Sequence, residues 1–325
     1  MPIPLNPVKI YQTVKEKGLG RVTRYGLEKA GFSARSGRRI MRHLQIISKP
    51  YRFATRKRKK HALFKHTQTT ITIPQEKGYL LLPPNSLPGV QEITKYCHDI
   101  YLQKKHLTPL YLNKNDYPQV DFFSMDESGI LKKHYDLAQI QPLAQFALSE
   151  AMLQIASDYL GELPILGDIY LLYTPVNDKT MASQIYHEDG EDYKQCKFFL
   201  AIEECQDENG PFTFLPADIS KTVEEKIDYY GKRYKKLRSR VPDQEMYQYV
   251  NPSQEIKFIG PQGSILFVDT SRCFHFGSRT RGKERIVLEI QYVSRFNFGQ
   301  PAGQLHTKLK AQDLAQIPDP HKILK

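Results

Sequence analysis

The chain has 325 residues, 40% of them hydrophobic, which is enough for a packed core in one large domain or two average ones. No apolar run is long enough to cross a membrane, and the N-terminus lacks the apolar stretch of a secretory signal. The four cysteines form no C-x-x-C pair, which is typical of a reducing compartment. We therefore expect a cytoplasmic protein that could lie at the periphery of a membrane.

Positive charge is concentrated at one end of the chain. The net charge is +12, yet residues 1–66 alone contain 18 Lys and Arg against two acids, and the remaining residues are slightly acidic. Such asymmetry indicates an arm that meets an anionic surface. It favours a membrane surface or a lipid-linked glycan precursor, and makes nucleic acid an unlikely partner. A solvated basic linker with no specific partner is the alternative.

Helices are predicted in the first half of the chain. Short helices broken by glycines are expected within residues 8–49, before the basic run "YRFATRKRKKHALFKH". The stretch "PGVQEITKYCHDIYLQKK" has apolar residues at helical spacing. The clearest helix is "QPLAQFALSEAMLQIASDYLG", for which Gly161 is a suitable C-terminal stop.

Beyond Gly161 the apolar period changes to two, which is typical of strands. Seven candidates are separated by turn signals such as Asn209-Gly210-Pro211, and they cover residues 168–175, 183–189, 196–205, 210–216, 263–270, 273–278 and 284–293. A charged, helical insertion is predicted at 219–250. Two helices followed by these strands predict a mainly β fold with flanking helices, a double-stranded β-helix (jelly roll, cupin-like) buttressed by N-terminal helices.

This pattern divides the chain into three parts. Residues 1–66 form the basic helical N-terminal arm, residues 67–300 form the jelly-roll domain with its insertion at 219–250, and residues 301–325 form a C-terminal tail. The insertion and the loop at 104–140 are expected to shape a substrate pocket.

The triplet His187-Glu188-Asp189 carries a histidine and a carboxylate two residues apart. The composition makes about one such triplet expected by chance, and His134-Tyr135-Asp136 has the same spacing. Alternate residues of a strand share a face, so His187 and Asp189 could leave one strand end together. The triplet at 134 is expected to run into a helix, and it precedes the series of strands. It is therefore the weaker candidate for a pair of metal ligands.

A third ligand is predicted at His275, which follows the strand "GSILFVDT" and precedes Gly277. The chain between His187 and His275 is long enough for a jelly roll to bring the two strands side by side. His187, Asp189 and His275 would then form a face of two histidines and one carboxylate. This arrangement leaves three metal positions open and is used by non-haem Fe(II) oxygenases.

A cation is predicted at Arg285, ten residues after His275 and at the start of "RIVLEIQYV". Alternation places Arg285, Val287, Glu289 and Gln291 on the face opposite the apolar one. A guanidinium there could pair bidentately with the distal carboxylate of 2-oxoglutarate. Gln184 and Lys197 are further candidates for the cosubstrate pocket, although each could equally be an ordinary strand residue.

Residues from about 78 to 298 resemble the phytanoyl-CoA dioxygenase family of Fe(II)/2-oxoglutarate oxygenases. The resemblance rests on an ordered set of motifs: "GYLLLP", "MLQIASDYLG", "YHEDGED", "DENGPFTFLP" and "GPQGSILFVDTSRCFHFG", followed by Arg285. It implies that His187, Asp189 and His275 bind iron and that Arg285 anchors 2-oxoglutarate.

The expected function is therefore that of an Fe(2+)- and 2-oxoglutarate-dependent dioxygenase. It would hydroxylate a C–H bond of a small-molecule, lipid or glycan-precursor substrate and release succinate and CO2. The carboxylate at Asp189 favours hydroxylation over halogenation. The alternatives are a non-redox cupin-type metal protein and a non-catalytic protein whose basic arm binds an anionic surface.

Overall fold

The computed structural model describes residues 39–40, 42–44, 46–47, 50–64, 70–104, 124–125, 132–134, 141–178, 180–227 and 240–294. The helices are α1 (Pro50–Leu63), α2 (Val90–Lys104), α3 (Gln141–Ala147), α4 (Glu150–Leu160), α5 (Ala217–Lys226) and α6 (Asp243–Met246). The strands are β1 (Tyr79–Leu82), β2 (Ser124–Met125), β3 (Lys132–His134), β4 (Ile165–Thr174), β5 (Cys196–Ala201), β6 (Thr213–Phe214), β7 (Ile256–Lys257), β8 (Ile265–Val268), β9 (His275–Phe276) and β10 (Arg285–Val293). The predicted C-terminal tail, 301–325, lies outside the described residues.

The strands form two antiparallel sheets. The larger sheet has the order β1-β8-β5-β10-β4-β3-β2, and the smaller one has the order β7-β6-β9. Strand β10 lies in the middle of the larger sheet and pairs with β4 on one side and β5 on the other. The chain is thus mainly antiparallel β with flanking helices, as the sequence predicts.

Side-chain alternation along β10 separates two apolar layers. Ile286, Leu288 and the apolar residues that alternate with them pack in the core that the helices α2, α3 and α4 share with the larger sheet. Val287 belongs instead to a second cluster with Phe214 of the smaller sheet. The predicted division of β10 into a helix-facing and an interior-facing side is confirmed. The interior-facing side carries Arg285 into the space between the sheets.

The longest predicted helix is interrupted. The apolar pattern predicts one helix up to Gly161, but α3 ends at Ala147 and α4 begins at Glu150. Gly161 does end α4: its φ of 78° is left-handed, and its N–H donates to the Ser157 carbonyl. The two helices still place their apolar faces in the same core.

Two of the predicted secondary-structure assignments are wrong in detail. Residues 183–189 were expected to form a strand, but they begin as a 3-10 helix, Ala182–Gln184, and then make only single bridges at Tyr186 and His187. His134, expected to run into a helix, lies at the end of strand β3 and pairs with Leu171 of β4. Its partner in the triplet, Asp136, lies outside the described residues.

Helix α1 carries the basic run of the predicted arm and contacts the domain. The Arg56 guanidinium is buried and donates hydrogen bonds to the carbonyls of Leu163, at 3.0 and 2.7 Å, and Pro164, at 2.8 Å. Lys60 Nζ lies 2.8 Å from Asp158 Oδ1 on α4. Some of the basic side chains of this segment therefore contact groups of the domain itself. None of the helices among the described residues is long and apolar enough to cross a membrane.

Candidate metal centre

The two histidines are brought together by backbone pairing. His187 follows the 3-10 helix Ala182–Gln184, and His275 opens β9. Each residue donates its N–H to the other's carbonyl, at 3.0 Å in both directions. Two residues further on, the Asp189 N–H donates to the Thr270 carbonyl at 2.9 Å. These bonds hold three side chains at one end of the space between the sheets.

Three potential metal ligands meet at this point. One ligand atom from each of His187, Asp189 and His275 lies within 4.8 Å of the others. Both imidazole Nε2 atoms are 3.8 Å from Asp189 Oδ1. No other such group of His, Cys, Asp or Glu side chains occurs in the described part of the chain. The structure thus brings the three predicted residues together.

The two imidazoles are held in the same way. His187 Nδ1 lies 2.9 Å from the carbonyl of Ile185, and His275 Nδ1 lies 2.9 Å from that of Cys273. A carbonyl can only accept, so each Nδ1 carries the proton and each Nε2 presents a lone pair to the cluster. Orientation of a ligating histidine through its other ring nitrogen is typical of metal sites.

Burial keeps both imidazoles neutral. It is the main cause that lowers the pKa of His187 from 6.5 to about 3, with the neighbouring His275 adding to the effect. Burial also lowers the pKa of His275, against the opposing charge of Asp189. Phe212 stacks on the His275 ring, with the centroids 5.1 Å apart. Because metals bind the deprotonated imidazole, these rings are ready to coordinate at neutral pH.

Asp189 is ionised in spite of its burial. Burial acts to raise the pKa of its carboxyl, but the nearby Lys197 ammonium outweighs that effect and holds the pKa well below its usual range. Lys197 Nζ lies 3.1 Å from Asp189 Oδ2. A carboxylate and two neutral imidazoles are therefore available in one buried cluster.

Arg285 lies on the interior side of β10 as predicted, and its side chain is buried. Its Nη2 donates to the Ser278 hydroxyl at 3.1 Å, whereas its Nε has no hydrogen-bond partner among the described residues. No carboxylate in the described part of the chain makes an ion pair with it. Burial lowers the pKa of the guanidinium, which still carries its charge at neutral pH.

This guanidinium fits a carboxylate cosubstrate. A buried cation without an anionic partner is costly, and a carboxylate ligand would remove that cost by pairing bidentately with the guanidinium. The orphaned Nε is the donor that such a ligand would satisfy. The residues present therefore fit both a divalent metal and an anionic cosubstrate.

Gln184 and Lys197, the other two predicted cosubstrate residues, have partners of their own. The Gln184 amide donates to Asn177 Oδ1 at 2.7 Å and to the Ser278 carbonyl at 2.6 Å, and its oxygen accepts from the Met181 N–H. Lys197 pairs with Asp189 and, at 2.9 Å, with Glu289. A contact between either residue and the cosubstrate stays a prediction.

Sequence reasoning missed the polar neighbours of Asp189. Gln195 Nε2 lies 3.3 Å from Asp189 Oδ2 and 2.6 Å from Thr270 Oγ1. Gln195 immediately precedes β5 and lies two residues before Lys197, so alternation predicts that the two side chains share a face, and this was the available signal. Asp192 is also fully buried, and its carboxylate accepts hydrogen bonds from the backbone N–H groups of Tyr193 and Ser294.

The chain matches no protein-family model and no curated protein sequence. Solved structures with a similar chain path include the epimerase SnoN in complex with Fe3+, alpha ketoglutarate and nogalamycin RO, which is 14% identical over 73% of this chain and 83% of that one, with a TM-score of 0.41. HygX from Streptomyces hygroscopicus with nickel and 2-oxoglutarate bound is 13% identical over 74% and 87%, with a TM-score of 0.44. EctD from S. alaskensis in its apoform is 14% identical over 72% and 84%, with a TM-score of 0.47.

Proposed function

We propose that the chain is an Fe(II)- and 2-oxoglutarate-dependent dioxygenase with a double-stranded β-helix, of the phytanoyl-CoA dioxygenase type. It would hydroxylate a C–H bond of a small-molecule, lipid or glycan-precursor substrate. One observation carries the proposal: two neutral imidazoles and a carboxylate converge in a buried cluster, in the same interior that holds a buried guanidinium with an orphaned donor.

The cluster suits iron(II) among the common metals. Nε2 of His187, Nε2 of His275 and one oxygen of Asp189 make a set of two nitrogens and one oxygen on one side of the metal position. Structural zinc sites close their coordination with four protein ligands, whereas this set has three. A face of two histidines and one carboxylate with open positions is typical of non-haem Fe(II) oxygenases.

Arg285 supports 2-oxoglutarate as the cosubstrate. A dicarboxylate can bind a metal through its oxo-acid end and present its other carboxylate to a cation. The Arg285 fork is rigid, buried and held by Ser278, so little side-chain freedom is lost when a carboxylate docks. Neutral ligands would leave the buried charge unpaired.

When bound, iron and 2-oxoglutarate supply the oxidation: dioxygen is consumed, 2-oxoglutarate is converted to succinate and CO2, and one oxygen atom enters the C–H bond. The protein's own residues would bind the metal and orient the cosubstrate. His187 and His275 present fixed lone pairs, Asp189 supplies one negative charge, and Arg285 holds the cosubstrate's far end. The aromatic ring of Phe212, stacked on His275, excludes water from one side of the cluster.

The test is an anaerobic titration of the purified protein with Fe(II) and then 2-oxoglutarate, followed by the visible metal-to-ligand charge-transfer band. We expect the band in the wild type, none in His187→Ala, and a higher cosubstrate requirement in Arg285→Ala. A folded, metal-loaded wild type with no band would overturn the proposal. Metal binding without the band would favour the non-redox cupin-type alternative, and no metal binding would favour the non-catalytic one.

We also propose that exposed residues of the basic arm bind an anionic membrane. Leu44, Ile47 and Tyr51 are 50%, 72% and 79% exposed, and Lys57 and Arg58 of α1 are also exposed. Exposed apolar and cationic side chains in one segment suit the boundary of an anionic lipid layer. Cosedimentation with phosphatidylglycerol vesicles tests this: we expect binding that falls in Ile47→Glu and is absent with phosphatidylcholine. Equal binding to both vesicles, or to neither, would contradict it.

A further inference from the structure

The described residues of the insertion predicted at 219–250 pack behind the two histidines. Tyr186 precedes His187, and Phe274 and Phe276 lie on either side of His275. The three aromatic side chains are buried in one apolar cluster with residues of the insertion, which are Val223, Ile227, Val241, Met246 and Val250. Because neighbours in an extended chain point to opposite faces, the insertion supports the histidine-bearing segments from the side opposite the metal position.

The segment that carries His187 is held to its neighbours by single bridges rather than by a long strand. On one side His187 exchanges two backbone hydrogen bonds with His275, each of 3.0 Å. On the other side the Val241 N–H of the insertion donates to the Tyr186 carbonyl at 2.9 Å. Because only single bridges fix the backbone there, side-chain contacts must also contribute to its alignment.

Arg279 supplies such contacts from one guanidinium. Its Nη1 and Nη2 donate to Asp243 Oδ2 at 2.6 Å and Oδ1 at 2.8 Å, which makes a bidentate pair with the first residue of α6. Its Nε donates to the Gln184 carbonyl at 2.7 Å, at the end of the 3-10 helix. Its guanidinium carbon lies 3.5 Å from the centroid of the Phe276 ring. One side chain thus joins the insertion, the segment before His187 and strand β9.

We propose that Arg279, held by Asp243, is a positioning residue that keeps the His187 ring aligned for the metal. The inference rests on the proposed function. The Gln184 carbonyl that Arg279 binds is followed directly by Ile185, whose carbonyl holds His187 Nδ1 at 2.9 Å. Movement of the Gln184 peptide would shift the Ile185 carbonyl and turn the ring, which would carry Nε2 away from the cluster. Partners that orient a ligating histidine through its other ring nitrogen tune metal binding in this way.

The shape of the Arg279 guanidinium matters here as much as its charge. The fork is planar, so Nε faces the Gln184 carbonyl while both Nη atoms face the Asp243 carboxylate. A lysine ammonium is a compact charge on a flexible stem and cannot hold these two acceptors in the same fixed relation. Arg279→Lys therefore removes the alignment and keeps the charge. If the pair only stabilised the insertion, this change would lower the free energy of unfolding and leave metal affinity unchanged.

The first experiment compares cobalt(II) binding by the wild type and by Arg279→Lys. Loss of a partner that orients a metal ligand typically changes metal affinity about 10- to 100-fold. Because Arg279 acts through the Ile185 carbonyl, we expect a loss at the lower end of that range, about 10-fold. The visible absorption spectrum of the bound cobalt(II) should also change in shape, which a purely stabilising role would not cause.

A matched pair of variants tests the same contact from the insertion. Asp243→Asn weakens the pairing with Arg279 and should reduce cobalt(II) affinity in the same direction. Asp218→Asn is the control, because Asp218 is an aspartate of α5 whose carboxylate is ion-paired with Lys77 at 2.7 Å, and neither of these two residues belongs to a histidine-bearing segment. Its cobalt(II) affinity and spectrum should equal those of the wild type.

A second measurement on the wild type makes the inference independent of how the variants fold. Metal at His187 and the bond from the Val241 N–H to Tyr186 fix the same segment, so each should stabilise the other. Nickel(II) should therefore slow hydrogen–deuterium exchange of the Val241 amide several-fold. Exchange that nickel(II) does not change, or an unaltered cobalt(II) affinity and spectrum in folded Arg279→Lys, would overturn the inference.

The outcome for the proposed function is separate. A wild type that binds cobalt(II) but shows no charge-transfer band with Fe(II) and 2-oxoglutarate would contradict the proposed function, while the cobalt(II) and exchange results would still report on Arg279. A wild type that binds neither cobalt(II) nor nickel(II) would contradict both.

Discussion

His187 and His275 are direct backbone partners: each donates its N–H to the other's carbonyl at 3.0 Å, and their ring centroids lie 4.2 Å apart. The pair joins the segment after the 3-10 helix Ala182–Gln184 to the smaller sheet. Because the cluster forms only when this pairing forms, a metal bound there has high affinity for the folded state alone. Metal binding and folding are therefore linked.

The first prediction is that a divalent metal stabilises the folded protein through this cluster. Nickel(II) at about 100 times its Kd should raise the free energy of unfolding by about 2.7 kcal/mol, and His275→Ala should abolish the gain. Thermal unfolding with nickel(II) and with EDTA measures it. His98→Ala is the control, because His98 lies apart from the cluster and contacts Glu203. Equal gains in the two variants would rule out the cluster as the metal site.

The second prediction concerns the stability of the metal-free protein toward acid. Burial lowers the pKa of His187 from 6.5 to about 3, so the unfolded state binds its proton first as the pH falls. The stability due to the neutral ring is fully present above about pH 6.5 and is lost progressively between there and about pH 3. Urea unfolding in EDTA at pH 7 and pH 5 should show a smaller loss of stability in His187→Gln than in the wild type. A loss of the same size in both proteins would contradict the assignment of a buried, neutral His187.

The third prediction separates the charge of Arg285 from its shape. Arg285→Lys keeps the charge but loses the planar fork and its orphaned Nε, so the affinity for 2-oxoglutarate should fall about 10-fold or more. Arg285→Met, which also removes the charge, should reduce the affinity for 2-oxoglutarate further. Titration of the charge-transfer band measures both. Arg281→Lys is the control, since Arg281 is exposed and donates to the Asn177 carbonyl. An unchanged affinity in Arg285→Lys would show that the cosubstrate does not use the fork.

Local patterns predict much of this architecture. The alternation of "RIVLEIQYV" correctly places Leu288 under the helices and Val287 between the sheets, because one residue of slip would reverse both faces. The spacing of His187 and Asp189 likewise indicates a shared side. The broken helix before Glu150 and the 3-10 helix before Ile185 are less visible, since short turns depend on tertiary contacts.

Cross-strand pairing is where sequence reasoning ends. The Lys197–Glu289 pair joins residues far apart in the chain, and it depends on the register between β5 and β10. Nothing local to "CKFFLA" shows that its lysine meets a carboxylate on each side. The expectation that Lys197 serves the cosubstrate came from its position alone, whereas its charge is directed at Asp189.

The fourth prediction is that α1 is part of the folded domain rather than a tether. The Arg56 guanidinium is 5% exposed and binds the carbonyls of Leu163 and Pro164, which follow the end of α4. Arg56→Met keeps the length of the side chain but removes these donors from buried acceptors, which should cost about 1–3 kcal/mol for each acceptor left without a partner. Thermal and urea unfolding measure the loss.

The matched control for Arg56→Met is Lys57→Met, the next residue on α1, whose side chain is exposed. A surface substitution of this kind should change the free energy of unfolding by less than about 0.5 kcal/mol. If both variants were equally stable, α1 would contribute nothing to the domain, and the basic segment would be a free arm. If only Arg56→Met is destabilised, a deletion meant to remove membrane contact must spare α1, because removing it would also remove the hydrogen bonds at the end of α4.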